Sequence, residues 1–493
     1  MNTVEKANSM RIKLFCLLTS ALAMMATHLV AQVFTTLYSF PAADTNSANA
    51  VGAFPMGDVI LSGNTLYGTA QFGGRSGNGT VFSVNTDGAG FTTLHVFTGG
   101  SDGCDPLDGV ILSGDTLYGT ADEGGSAASY GTVFAVETNG TGFTTVHTFH
   151  GANGEAWPYG GLVLSGNTLY GTALGPENSS GAVFVVNTDG TGWATLHTFE
   201  PGSTNASGPY TNSDGAWPSG SLLLSGNTLY GTAVVGGQYG CGTVFAINTD
   251  GTGFTSLHVF RGSDGASPYG GLILSGNTLY GAAFSGGSTG NGTVFALNTD
   301  GTAFTTLHSF TATSTNSSGF CVNTDGAAPY GALILSGDTL YGTAQSGGSS
   351  GSGTLFAINT DGTGFTTLYC FTPLVGSNST NRDGASPDSN LVLSGNTLYG
   401  TAYEGGVWGS GTVFSLLLAP QPAVIRSGGN VILTWPTNCA GFDYSGYTLQ
   451  STTNLGSSAV WRTNSSAPVV VNGQNTVTNP ITGTQQFFRL GRQ

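Results

Sequence analysis

Charge is scarce in this chain. Only 7% of its 493 residues are charged, and Lys and Arg together number 10 against 26 Asp and Glu. Nucleic-acid binding is therefore excluded as a main role, because phosphate contacts need a basic face. Cysteine is sparse as well: there are 6, none in a C-x-x-C spacing, which argues against zinc and thioredoxin-type chemistry. No H-E-x-x-H or phosphate loop occurs, and G-x-S-x-G occurs only in Gly-rich loops such as Gly286–Gly290, without the strand-to-helix turn that a nucleophile elbow needs, so no nucleophile or metal centre can be read from a motif. The one apolar run, Leu14–Ala26, is too short to span a membrane comfortably. Long apolar helices are disfavoured by 81 glycines. A hydrophobic content of 39% still supplies a sizeable core.

The apolar run follows Lys6, Arg11 and Lys13 and precedes Leu29-Val30-Ala31, so residues 1–31 are expected to be a secretory signal peptide. Cys16 follows Lys13-Leu14-Phe15, a poor match to a lipoprotein box. Without residues 1–31 the balance is 7 basic against 25 acidic residues, or −18, which favours solubility outside the cell. The protein is expected to be secreted, extracellular or on the cell surface, and monomeric. Five cysteines then remain: Cys104, Cys241, Cys321, Cys370 and Cys439. They occupy non-equivalent positions, an odd number cannot pair fully, and they are expected mainly as buried small hydrophobes.

What is abundant is repetition. L-S-G-(N/D)-T-L-Y-G occurs seven times, with its tyrosines at Tyr67, Tyr118, Tyr170, Tyr230, Tyr280, Tyr341 and Tyr399. A companion string, aromatic-x-T-(L/V)-(H/Y)-x-F, also occurs seven times but out of phase. Its first copy, Phe34–Phe40, precedes every L-S-G unit, and its last, Phe365–Phe371, leaves the seventh unit without one. A ring closed by joining its ends explains the offset. Residues 267–310 show one unit: strand A at Gly271–Leu274, strand B at Leu279–Ala283, strand C at Thr293–Leu297, strand D at Phe304–Phe310. Ser275-Gly276-Asn277-Thr278 and Asn298–Gly301 supply the turn chemistry between A and B and between C and D. Four strands per 50–61 residues is blade-like spacing. The sequence thus predicts an all-β fold: a seven-bladed β-propeller over 32–418, its last blade completed by the strand at 33–40.

The repeat resembles the GloVer tandem repeats of bacterial choice-of-anchor surface proteins. The matching strings are Leu66–Ala70, Gly73–Gly74, Gly79–Phe82 and Asn248–Phe254, and their counterparts across about residues 32–418. The Gly-Gly after strand B is also distantly kelch-like. The resemblance implies export and surface display without implying a chemistry. The closing stretch Phe487–Gln493 shows no Pro-rich signal, sortase motif or apolar helix, and no anchor is read from it.

Pro420-Gln421-Pro422 marks a change of character, so 419–422 is expected to be a linker and 423–493 a separate module. Asn430–Trp435, Tyr447–Ser451, Val460–Thr463, Pro468–Asn472 and Gln485–Leu490 read as short strands. This pattern resembles a fibronectin-III-like β-sandwich, with Trp435 and Trp461 as core.

Antiparallel parity places A–B and C–D turns at one end of each blade, and B–C loops and D–A segments at the other. Length varies only at the second end: 15 residues separate Phe97 from Leu112, but 25 separate Phe199 from Leu224. Ligand contacts on such scaffolds concentrate there. That face carries Trp157 and Trp217 in matching A-W-P strings, Tyr130, Tyr239 and Trp408 in B–C loops, and Tyr159, Tyr269 and Tyr330 after prolines. These aromatics suit stacking against sugar or peptide, and equally suit packing at a channel mouth. Asp102, Asp105 and Asp108 form the densest of the acidic groups that recur in the D–A segments. Asx turns account for these acids, and calcium, a cation that takes oxygen ligands in loops, is the alternative cofactor. His95, His147, His197, His258 and His308 share one position on strand D and cannot converge on a centre, so they are expected to be structural. The composite reading is a binding or adhesion protein for polysaccharide or another surface protein. The enzymatic alternative, a lyase or glycosidase, would draw an acid pair from Glu155, Asp214 and Asp264.

Overall fold

The computed structural model describes residues 33–492 apart from 45–46, 153–154, 177–178, 204–208, 419–422, 428–429, 440–441, 445, 453–461, 464–466, 472–473 and 481–486. The expected signal peptide at 1–31, the linker at 419–422 and Trp461 lie outside the described residues. The chain divides into two compact units, Phe34–Leu417 and one that includes Leu418–Gln493.

The first unit is all-β, built from repeated four-stranded antiparallel sheets in a propeller-like arrangement. In the first sheet, strand A (Ile60–Ser62), B (Thr65–Ala70), C (Thr80–Asn85) and D (Thr92–Val96) pair in sequence order. Strands A and B meet in a two-residue turn, with Ser62 opposite Thr65 and Gly63 at φ 58°. A bulge between Val81 and Phe82 bends C against D. The L-S-G and G-T-V-F strings keep these positions in every repeat. The sheet that holds Val392–Ser394, Thr397–Ala402 and Thr412–Leu417 takes Val33–Ser39 as its outer strand, the partner expected from the out-of-phase string.

Sheets face each other through apolar layers. Leu66, Ala70, Phe82 and Val84 of the first repeat pack with Phe40 and with Tyr399 and Val413 of the last, nearly all fully buried. Burial of each large side chain stabilises by about 1.5–3 kcal/mol. Outside this layer runs a chain of ring stacks. The His or Tyr of each strand D lies flat on the aromatic residue that opens strand D of the next repeat: His95 on Phe143 at 3.6 Å, His147 on Trp193 at 3.5 Å, His197 on Phe254 at 3.7 Å. The same contact joins Tyr369 to Phe34 at 4.2 Å and Tyr38 to Phe91 at 3.7 Å. The histidines thus serve packing, as their shared strand position implied.

The glycine before T-V-F is forced twice over. Gly79 sits at φ 95°, and an added Cβ would lie 2.5 Å from Cδ of Pro106 in the next repeat. Gly411 stands in the same relation to Pro55, at 2.4 Å.

Among its described residues the second unit holds two small sheets and a two-stranded ribbon, Asn438–Cys439 with Phe442–Asp443. One sheet orders Ala423–Ser427, Asn430–Pro436, Gln474–Pro480 and Val469–Val471; the other orders Arg462–Thr463, Tyr447–Thr452 and Phe487–Arg492. Trp435 is fully buried among Leu433, Tyr444, Leu449 and Val477, as expected of a core residue. The strand Gln474–Pro480 escaped the sequence reading because its polar residues mask the alternation that buries Asn475 and Val477. The cysteines depart from expectation. Cys104, Cys241, Cys321 and Cys370 are free, and of these only Cys104 is buried; Cys321 is exposed, in a short hairpin inside a long D–A segment.

Two glycine substitutions separate backbone strain from steric conflict. Gly63→Ala faces open space and is expected to cost about 1–2 kcal/mol from its positive φ alone. Gly79→Ala adds contact with Pro106 and two carbonyls and is expected to cost about 2–5 kcal/mol. Urea midpoints of the two variants check the order.

Candidate functional site

The residue before the D–A proline is a shared structural position. Phe54, Asp105, Trp157, Trp217, Ser267, Ala328 and Ser386 all adopt φ between 54° and 58°. Such a conformation costs a non-glycine residue about 1–3 kcal/mol unless its surroundings hold it. They do. The N–H of Trp157 donates to the Tyr130 carbonyl of the preceding repeat at 2.9 Å, and its own carbonyl accepts from Leu174 N–H at 3.0 Å. Trp217 N–H donates to Ser180 at 2.8 Å, and Phe54 N–H to Ser410 at 2.8 Å. The backbone is spent on the scaffold, and the side chain is left to face the variable loops.

Of the five aromatics singled out from sequence, Trp157 and Tyr130 come together, and Trp217 and Tyr239 have other neighbours. Trp157 meets Tyr130 edge to face at 6.1 Å. Trp217, 43% exposed, stacks instead on Tyr210 at 5.9 Å and 20°. Tyr210 is fixed by its hydroxyl, which contacts Ser180 Oγ at 2.7 Å and accepts from Gly202 N–H at 2.7 Å. It belongs to one of the two longest D–A segments and has no repeat counterpart, so nothing in the repeat pattern marked it. Tyr239 carries the Arg261 guanidinium 5.6 Å from its ring centre. Trp408 is 57% exposed.

The three aspartates grouped from sequence sit in three different surroundings. Asp102 accepts from His95 Nε2 at 3.1 Å and from Thr98 N–H at 2.9 Å. Asp214, Asp264 and Asp325 bind His197, His258 and His308 in the same way, and Asp383 takes the Tyr369 hydroxyl at 2.6 Å. These acids clamp the start of five of the D–A segments. Asp105 occupies the strained pre-proline position, where burial and the nearby Glu123 charge push its carboxyl up to about 6. Asp108 lies at the centre of the fold. Among the described residues, no group of three or more His, Cys, Asp or Glu is placed to hold a metal ion.

Residues after the prolines converge from every repeat on a central passage. At its neck the Tyr159 and Tyr330 hydroxyls lie 2.6 Å apart, and Tyr269 stacks on Tyr330 at 4.9 Å. The next turn of the passage is lined by glycine in most repeats, because neighbouring backbones touch: a Cβ on Gly220 would meet the Gly270 carbonyl at 2.7 Å. Asp58, Asp108, Ser221 and Asn390 fill the space left. Asp58 accepts from Asn390 N–H at 2.6 Å and from its side-chain amide. Asp108 accepts from Gly109 N–H at 2.6 Å and from Ser221 Oγ at 3.0 Å. The two buried carboxyls lie close to each other, and burial, then the Asp108 charge, drives Asp58 well above the usual carboxylate range. Sequence reasoning missed Asp58, whose signal is its alignment with glycines in three other repeats.

On the strand A side of this plug lies a cavity of about 310 Å³ with walls such as Val59, Val110, Leu162, Leu222 and Leu333. On the loop side a cavity of about 480 Å³ opens between Gln71, Tyr159, Gln345, Asp388, Tyr403 and Glu404. Burial, with Glu404 nearby, lifts Asp388 to about 7.

Comparison with known proteins adds the following. The family profile described as the Gloeobacter/Verrucomicrobia repeat matches residues 26–212, 203–322 and 318–427. No curated protein matches the chain. Among solved structures, an oligogalacturonate lyase from Vibrio parahaemolyticus is 12% identical, covering 78% of this chain and 96% of its own at a TM-score of 0.44. An oligogalacturonate lyase in complex with manganese is 13% identical, with 79% and 96% covered and a TM-score of 0.45. TolB from Acinetobacter baumannii is 13% identical, with 61% and 63% covered and a TM-score of 0.35.

His147 breaks the histidine–aspartate pattern and carries a pH consequence. Counted back from Pro158, Gly154 stands where other repeats have Asp and Glu155 where they have Gly, and neither Glu155 Oε2 nor His147 Nε2, both buried, has a partner among the described residues. Burial, with His150 adding its charge, pushes the imidazole down to about 4. The unfolded chain therefore binds this proton first, and stability should fall as pH drops from about 6.5 to about 4. His147→Phe keeps a flat ring on Trp193 and removes the titration. The variant should lose less melting temperature than the parent between pH 7 and pH 4.5 in scanning calorimetry.

Proposed function

The chain belongs to the Gloeobacter/Verrucomicrobia repeat family, and we propose that it is an exported, seven-bladed β-propeller that binds polysaccharide through the face bearing its B–C loops and D–A segments. The ring is completed by Val33–Ser39. This reading is supported by contacts that run from the last repeat to the first in the same form as between any two neighbours: Phe54 N–H to Ser410, Thr401 Oγ1 to the Gly57 carbonyl at 3.2 Å, and Tyr38 on Phe91. Export follows from the signal peptide expected at 1–31, and 423–493 serves as a fibronectin-III-like accessory module.

The observation that carries the binding role is the exposure of Trp217, Trp408 and Tyr239 on one loop face, with Trp217 backed by Tyr210. A flat, partly exposed ring held by a strained but fully bonded backbone offers a rigid stacking surface at little entropic cost. Asp214 and Asp264, two of the acids considered for hydrolysis, are each bonded to the histidine of the strand D just before them, which favours binding over cleavage.

Two measurements test this reading. Retention of the mature chain in affinity gels cast with mixed polysaccharides should be reduced at least several-fold by Trp217→Ala with Trp408→Ala; equal retention would transfer the role to a protein partner. Phe34→Ala removes a stack on Tyr369 and a contact with Phe414 and should destabilise the first unit by about 2–4 kcal/mol. A negligible change in its urea midpoint would refute completion of the ring by this strand.

A further inference from the structure

The loop-side cavity contains a carboxylate that the scaffold does not use. Asp388 is 5% exposed, and its Oδ1 has no partner among the described residues. The Gln345 side chain lies beside it in the cavity wall. Equivalent positions after the other prolines hold Met56, Leu107, Tyr159, Ser219, Tyr269 and Tyr330, so the fold does not require an acid there. Glu404 lies in the same cavity, fixed by Ser386 Oγ at 2.9 Å, and none of the residues around the cavity is a Lys, Arg or His. Tyr403 forms part of the wall, with Phe54 5.2 Å from its ring. A buried carboxylate without a counter-charge is costly, and a cationic guest would relieve that cost. The set is too poor in carboxylates and carbonyls for a hard metal ion, which takes six to eight oxygens. It suits an ammonium group, which brings three donors and is attracted to aromatic faces. The volume, about 480 Å³, falls within the range of small-ligand pockets.

We propose that this cavity is a subsite for the free amine of an amino-sugar residue, received between Asp388 and Glu404 against Tyr403, and that the preferred ligand is a de-N-acetylated polysaccharide. The assignment rests on the polysaccharide reading above and narrows it to a cationic glycan. N-Acetylation removes both the charge and two of the donors, so the acetylated chain loses the contact.

Calorimetric titration of the mature chain with chitosan hexamer, chitin hexamer and cellohexaose tests it. Chitosan hexamer should bind about tenfold or more tighter than chitin hexamer, the size of one charge-assisted hydrogen bond. Asp388→Asn should bring that ratio close to one, and Glu404→Gln, at a more exposed position, should lower it by a smaller factor. Equal affinity for the two hexamers, or a ratio unchanged in Asp388→Asn, overturns the subsite while leaving glycan binding intact. Should no hexamer bind, the polysaccharide reading fails by itself; glucosamine against N-acetylglucosamine, followed by tyrosine fluorescence, then judges the cavity alone, and no difference between them overturns it. A lysine-rich peptide that binds as tightly as chitosan hexamer would overturn the amino-sugar assignment.

Discussion

Each repeat depends on a contact it cannot make alone. The proline that opens a D–A segment lies against the glycine before T-V-F in the preceding repeat, and the residue before that proline donates its N–H to the loop beside that glycine. Glycine is the only residue that fits, because a Cβ would collide with both the proline ring and two carbonyls. The pre-proline residue in turn keeps its left-handed backbone only because that loop is there to accept from it. Remove either partner and a strained residue loses its compensation. The stacks of His or Tyr on the following repeat's aromatic residue reinforce the same dependence farther out. Stability of the first unit is therefore a property of neighbouring pairs more than of single sheets.

This explains the composition. Glycine is abundant where backbones of adjacent repeats touch around the passage and where turns need positive φ. Charge is scarce because the surfaces between sheets are apolar or bonded backbone. Several of the acids that remain are consumed locally, as the Asp102–His95 and Asp383–Tyr369 pairs show. The five pairs of this kind each fix a D–A segment at its start while its later residues vary in length and sequence.

How far the sequence reveals this follows from how often a feature repeats. Four-stranded sheets, the turn glycines and the outer strand at Val33–Ser39 were legible because seven copies align. The structural role of the histidines followed from the same logic. Features that occur once were not legible. Tyr210 supports Trp217 from a long segment with no counterpart, and Asp58 and Asp388 gain their meaning from partners in other repeats, Asn390 and Gln345. Asp102, Asp105 and Asp108, grouped by their closeness along the chain, have different partners: His95 and Thr98 for Asp102, Ser221 for Asp108. Alignment on the seven prolines would have placed Asp105 with Trp157 and Trp217 instead.

That alignment has one more implication. At the pre-proline site both main-chain groups are committed, and the side chain carries none of the burden of holding the frame. Phenylalanine, aspartate, tryptophan, serine and alanine all occur there at nearly one φ. Such a position behaves like a rack that accepts interchangeable type: the frame stays the same whichever character is set in it. The side chain in each slot can therefore be rewritten, one repeat at a time, without renegotiating how the backbone folds.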